Sequence, residues 1–424
     1  MRTVLHCDVS SVLSQCELYA AALGGATGAE RTGSKEPRTN CVLNRLSASS
    51  LRLCCDDIGG NIMVSYYQLG SQKQLNEIVM VGSHDAAITQ GMSHVQTQSL
   101  NIADQADAGV RIFDLRITGG VVGKVGVDKK PIGQLAAYHG SGIGAKGRMG
   151  VVETRTGQHA QMQVKPMTGV MGAYGQTLSA ILTQARAFVE NGNEFLILKF
   201  DKCSNWQMIA EACVDLLGGT IYTAGGNLNT ATLQQLAGHV VVLFGADGLK
   251  IIPSTYGAKG ILGFKNLYSK SGTPGVYDPN FNGLQYVGKG GTKVGGTGLL
   301  RTYKYKMKEN VKKQTKSLAQ GARVNQDVMG MMYWTTTGTT TSIKDRNKFL
   351  WNEENQEGIV DLWESRIPQN VDPTLASAAG MLKMFMPNFI MIDFADGPKC
   401  DKIFDLNFLS AMHLHNAAVD QING

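Results

Sequence analysis

From Ile78 onward the chain alternates short apolar runs with amphipathic stretches. Ile78 to Val81 is a first run, and it ends abruptly in Gly82-Ser83-His84-Asp85. Val110 to Ile117 is a second, with Asp114 and Arg116 at alternate positions. A third leads into Tyr138-His139, and a fourth runs from Glu194 to Asp201. Later runs cover His239 to Phe244, Met329 to Trp334 and Asn388 to Phe394. Each has the length and composition of a buried strand. Between them the spacing predicts helices over Gln96 to Ala108, Leu178 to Glu190 and Trp206 to Leu217. In the second of these Leu178, Ile181, Leu182, Ala185 and Val189 share one face. The third is followed by Gly218-Gly219, a helix stop.

Strands that alternate with helices argue for βα units around a mainly parallel sheet. Polar groups at strand ends favour a TIM-like (β/α)8 barrel over residues 76–424. Residues 1–75 read as an N-terminal extension of unknown role, helical from Ser10 to Leu23, then loop-like, with a strand over Asn61 to Tyr67. Residues 247–300 are looser. The glycine run between Gly288 and Gly298 has neither P-loop nor dinucleotide-fold spacing and reads as a flexible loop. Tyr303 to Gln320 reads as a strand end passing into a lysine-rich helix. Those lysines are a solvated face or, on a sharper reading, a contact for an anionic membrane.

Composition narrows this picture only a little. The 424 residues are 43% hydrophobic and 17% charged, with a net charge of +6. That balance suits an anionic lipid surface and is too weak to argue for nucleic acid. Five of the eight cysteines fall in the first 55 residues; in a chain of this length free thiols are the plainer reading. No apolar run approaches the roughly 20 residues of a membrane span. Asp8, Ser10, Ser11, Gln15 and Glu17 interrupt any secretory leader. The expected location is therefore the cytoplasm or outside the cell by a dedicated export system.

The residues at strand ends form a chemical set: His84, His139, Arg116, Asp85, Asp114 and Asp393. Cleaving a phosphodiester beside a free hydroxyl needs a base for that hydroxyl, an acid for the leaving oxygen, and positive charge on the phosphate. Histidine titrates near neutrality and serves both proton roles. Arginine offers a fixed, forked cation. Carboxylates beside the histidines set tautomers and steady the imidazolium. Lys199 is unusual on so apolar a strand, because lysine is seldom buried unless paired; Asp114 is a candidate partner. His94, His159, His413 and His415 lack comparable context and read as surface or structural.

GSHDAAIT, GVRIFDLRI, YHG and EFLILKF, in that order, resemble the X-region of phosphatidylinositol-specific phospholipase C, the bacterial type more closely. The resemblance is good from Ile78 to Asp201, resumes near Trp334 and at IMIDF around Asp393, and leaves residues 1–75 uncovered. It implies a somewhat irregular barrel and two-step cleavage through a cyclic phosphate. His84 resembles the base, His139 the acid and Arg116 the phosphate-binding arginine. Asp85 resembles the partner of the acid histidine and Asp393 the partner of the base. Asp114 and Lys199 resemble a remaining polar pair in the barrel mouth. Calcium-dependent members place carboxylates where this chain has Arg116 and Lys199. Two cations there would repel a divalent ion, so the resemblance implies a metal-independent enzyme without cofactor.

Two departures concern the headgroup. The bacterial lipases carry an arginine late in the strand matching Val240 to Phe244, where this chain reads VVVLFG. Near the following strand they carry an aspartate two before a tyrosine. Here that region reads Arg301-Thr-Tyr303-Lys-Tyr305, keeping a tyrosine as Tyr305 but not the aspartate. The expected function is thus a phosphodiesterase acting on a phospholipid or membrane surface. The alternatives are a soluble or non-inositol substrate, as for an exported bacterial toxin or effector with residues 1–75 serving delivery or an unknown protein partner, and a non-catalytic binding module on the same barrel.

Overall fold

Each short apolar run from Ile78 onward has two faces to bury, and a parallel barrel buries both. A computed structural model describes residues 64–125, 130–140, 148–153, 159–165, 172–293, 327–337, 342–351 and 387–408, with residue 325 and most of 309–321. All of them fall in one unit, residues 58–424. Its centre is a closed parallel barrel of eight strands. They are β1 (Met80–Ser83), β2 (Val110–Leu115), β3 (Leu196–Phe200), β4 (Val240–Phe244), β5 (Ile261–Asn266), β6 (Gly283–Lys289), β7 (Met329–Trp334) and β8 (Phe389–Ile392). Each strand pairs with its sequence neighbours, and β8 closes on β1 with Ser83 opposite Ile392.

Alternation along each strand sorts side chains between two cores. Val81, Phe113, Leu198, Val242 and Ile390 point outward to the helices. Met80, Ile112, Ile197, Val241, Leu284, Met331 and Met391 fill the barrel. The interior is tight: a Cβ on Gly82 would lie 2.2 Å from Met391 Sδ. Val64, Tyr66, Leu75 and Ile78 join the inner core at the strand N-terminal end. There Arg111 Nε donates to Glu194 Oε2 at 2.8 Å, and an Arg111 nitrogen donates to the Val64 carbonyl at 2.7 Å. Tyr67–Leu69 is a 3-10 turn rather than the end of a strand.

Helices cover the outside where the sequence supplies them. α1 (Ile102–Ala108) starts at Asn101, whose side chain accepts from Asp104 N, and stops at left-handed Gly109. It is shorter than the predicted helix because Thr97 and Gln98, both buried, hydrogen-bond to neighbouring turns instead of joining it. α2 (Leu178–Glu190) is capped by Thr177, and α3 (Trp206–Leu217) stops at Gly218. No helix separates β5 from β6, which makes the barrel irregular. Among the described residues no helix is long and apolar enough to cross a membrane.

One prediction is corrected outright. The run into Tyr138-His139 is not a barrel strand. It belongs to Lys130–Gly140, part of a five-stranded sheet inserted between β2 and α2. This strand pairs antiparallel with Ile117–Val125 and with Gly172–Thr177. The sheet's pairings are mixed: Ile117–Val125 runs antiparallel to Lys130–Gly140 but parallel to His159–Lys165, and among the described residues no helix lies between β2 and α2. A second correction concerns residues 247–300: they contain β5 and β6, two full barrel strands.

Candidate active site

The same alternation that fills the barrel lifts a charged layer above it. Continuing the inward face toward the strand C-terminal ends gives His84 after β1, Asp114 and Arg116 on and after β2, and Lys199 on β3. Tyr286 on β6, Tyr333 on β7 and Asp393 after β8 follow the same register. The β2–β3 register places Asp114 directly opposite Lys199. Lys199 Nζ donates to Asp114 Oδ1 at 2.8 Å, with both side chains buried. It also lies 4.5 Å from the centre of the Phe264 ring.

The centre of the layer is Asp85, whose side chain is 1% exposed. Its Oδ2 lies 2.8 Å from His139 Nδ1 and 3.5 Å from His84 Nε2. Its Oδ1 lies 2.9 Å from Arg116 Nε. The His139 and Arg116 contacts meet ion-pair distance without hydrogen-bond alignment. The other imidazole nitrogen of His84 contacts Asp393 Oδ1 at 2.8 Å. Tyr333 packs edge-on against His84, 5.7 Å between ring centres. One carboxylate therefore joins both histidines and the arginine, and a second holds His84 from behind.

Backbone geometry brings these groups together. Asp85 has φ +44°, in the left-handed region that non-glycine residues rarely adopt, Asn and Asp less rarely than most. The turn is secured by His84 N donating to Ile392 O and Ala86 N donating to Asp114 O, both at 3.0 Å. The inserted sheet brings His139 over the mouth. His139 pairs with Ala173 on Gly172–Thr177, and Gln176 N donates to Ala87 O at 2.9 Å. Gly175 passes so close to the turn that a Cβ there would lie 1.8 Å from Ala87 O.

Electrostatics follow from burial and from these pairs. Burial works against the His84 imidazolium, but Asp85 and then Asp393 outweigh it, and the pKa is raised from 6.5 to about 9. Burial works against the Asp85 carboxylate, yet His84, Arg116 and His139 hold it below the usual carboxylate range. Asp114 is likewise lowered against burial by Lys199, and Lys199 is raised well above its ordinary value against burial by Asp114. Asp393 is raised by burial, with His84 opposing. Burial also raises the Tyr333 phenol and pushes Tyr286 up to about 12, so both stay neutral donors.

Beside Lys199, at the ends of β3, β4 and β5, a cavity of about 300 Å³ opens among Asp201, Lys202, Trp206, Asp247, Phe264, Lys265 and Asn266. Its charges are mixed. It lies next to the pair, with Asp201 Oδ2 at 3.9 Å from Lys199 Nζ. The loop after β1 adds an apolar contact: Met92 is half exposed, and the preceding Gly91 packs against Ala173 beside His139. Among the described residues no group of three or more His, Cys, Asp or Glu side chains is arranged to hold a metal ion.

All seven barrel-mouth residues expected from the sequence thus lie in one layer. Tyr305 lies outside the described residues. The strand that follows β4 is Ile261–Asn266. Sequence reasoning missed Tyr333, an inward position on a strand it had identified, and the polar loop Thr97-Gln98.

No family model matches the chain, and no curated protein matches it in sequence. Solved structures do. The chain is similar to the phosphatidylinositol-specific phospholipase C of Listeria monocytogenes, 14% identical over 80% of this chain and 95% of that one, with a TM-score of 0.43. A structure of the Staphylococcus aureus enzyme gives 16% identity, the same two shares and a TM-score of 0.45. Likeness at this level assigns neither activity nor substrate.

Proposed function

We propose that this barrel is a metal-independent phosphodiesterase that cleaves a phospholipid-type phosphodiester by two-histidine acid–base catalysis. The observation that carries the reading is Asp85, one buried carboxylate in contact with both imidazoles and Arg116. His84, backed by Asp393, takes the proton of a hydroxyl neighbouring the phosphate. That oxygen attacks phosphorus and forms a cyclic phosphate. His139 gives its proton to the departing oxygen, and Asp85 steadies whichever imidazole is charged. In a second step the roles reverse, and water opens the ring. Arg116 leaves Asp85 to fork onto the non-bridging oxygens. Lys199 and Asp114 fix the local field beside the headgroup cavity.

Arg116 and Lys199 support metal independence, since two cations in one mouth disfavour a divalent ion. Half-exposed Met92 beside the mouth supports a lipid substrate. The mixed-charge cavity favours a polar headgroup, and it equally accommodates the second reading, a soluble phosphodiester. A panel of phospholipids and soluble phosphodiesters, incubated with excess EDTA, decides between them. A phosphorylated headgroup released by wild type and not by His84→Ala or His139→Ala supports the lipid reading. Cleavage of soluble diesters alone supports the second. Activity lost to EDTA refutes the metal-free chemistry, and no cleavage of any diester favours a binding module.

A further inference from the structure

Thr97 and Gln98 sit in the loop between β1 and α1, and both are completely buried. Their polar atoms are spent on two turns. The Gln98 amide donates to His84 O at 3.0 Å and to Ile392 O at 3.2 Å. Its oxygen accepts from Ala395 N at 3.0 Å. Thr97 Oγ1 donates to Asp85 O at 2.8 Å, and Thr97 O accepts from Phe394 N at 2.7 Å. The backbone of the pair is tied to Ile88 O through Thr97 N at 3.2 Å and Gln98 N at 3.1 Å.

The two turns are those that carry His84-Asp85 and Asp393. Each contains a left-handed non-glycine residue, Asp85 at φ +44° and Phe394 at φ +50°. Such residues persist where the surroundings over-determine them. Here one dipeptide holds both: Thr97 binds the carbonyl of Asp85 and the amide of Phe394. The β1 and β8 strands end where these turns begin, so beyond Ser83 and Ile392 the ladder holds only His84 N to Ile392 O. Buried polar networks that are fully satisfied rigidify what they join.

We infer that Thr97-Gln98 is a positioning clamp that sets the approach of His84 to Asp393 and Asp85. The inference rests on the proposed base role of His84 for its functional meaning, though the clamp itself is a statement about geometry. Neither residue reaches the mouth or touches a reacting group. Their influence passes through the backbone of the residues that do.

The test uses the full chain labelled with ¹³C,¹⁵N-histidine, comparing wild type with Thr97→Val, Thr97→Ser and Gln98→Met. Thr97→Val keeps the shape and removes the hydroxyl; Thr97→Ser restores it. Gln98→Met removes all three side-chain hydrogen bonds at similar volume. The groups facing His84 are Asp85, Asp393, Arg116, His139 and the Tyr333 ring, and none is altered. Loosening the two carboxylates should lower the His84 titration midpoint by about one unit in Thr97→Val and Gln98→Met. Thr97→Ser should titrate like wild type. On a cleaved phosphodiester, kcat should fall about 100-fold in the first two with KM unchanged. Wild-type titration in folded Thr97→Val overturns the clamp, even if Gln98→Met fails to fold. A shifted titration in a chain that cleaves no diester keeps the clamp and removes the proposed activity.

Discussion

Replacing Asp85 with asparagine removes the charge that Arg116 and the two histidines share and leaves the rest nearly untouched. Asparagine is the same size and tolerates the left-handed φ of +44° about as readily as aspartate. The consequence is therefore electrostatic. His84 stands at about 9 because Asp85 and Asp393 outweigh burial. Without the Asp85 charge, burial and the Arg116 cation act against Asp393 alone. The His84 titration should fall by about 1 to 2 units, or about 1.4 to 2.8 kcal/mol. Two unit charges about 4 Å apart interact by about 4 kcal/mol at an effective dielectric of about 20, so this range is moderate. The acid histidine loses its orienting contact as well, and kcat should drop about 10³-fold, within the span of general acid–base effects. The assay pairs steady-state cleavage of a phosphodiester with histidine titration by NMR. An Asp85→Asn protein with kcat within fivefold of wild type and an unmoved His84 would refute the bridging role.

Other perturbations probe the neighbouring contacts. Lys199→Met strands a buried Asp114 carboxylate and should cost about 3–5 kcal/mol in urea unfolding; adding Asp114→Leu should return most of it, and an unchanged single mutant would dispose of the pair. Gly175→Ala sets a methyl against Ala87 O and should destabilise by about 1–3 kcal/mol while displacing His139, seen as lost activity with a modest fall in Tm. As a base, His84 must lose its proton, so kcat/KM should rise with pH on a limb near 9, and Asp393→Asn should move that limb to lower pH. The same raised value stabilises the fold fully below 6.5, and this contribution is lost as pH rises through about 9. Urea midpoints indifferent to pH across that window would contradict it.

The parts of this molecule readable from its sequence are those where local pattern and final environment agree. β2 alternates apolar and charged positions because its inner face climbs from Ile112 in the core to Asp114 and Arg116 at the mouth, so spacing alone groups the charged residues. α2 and α3 show clean helical faces because each buries one side on the barrel. β5 and β6 were obscured by Gly263, Gly283 and Gly288 and by polar residues at their upper ends, and no helix between them marks a βα unit. The inserted sheet was misread because the strand ending in Tyr138-His139 has the local pattern of a barrel strand, and only its antiparallel partners, Ile117–Val125 and Gly172–Thr177, place it outside the barrel. Thr97 and Gln98 look like an ordinary polar loop; only their complete burial shows that they bind two turns. The roles of the histidines are a matter of chemistry, and no pattern of spacing distinguishes base from acid.

That distinction offers the most direct measurement. His84→Ala and His139→Ala would be compared on two phosphodiesters that differ only in the leaving group, one an alkoxide and one p-nitrophenolate, with excess EDTA throughout. An acid is needed to expel the alkoxide and hardly needed for the phenolate, whereas the base is needed for both. His139→Ala should recover most of its activity on the p-nitrophenyl substrate while His84→Ala stays inactive on both. Equal losses in the two variants on both substrates would contradict the division of labour between the histidines.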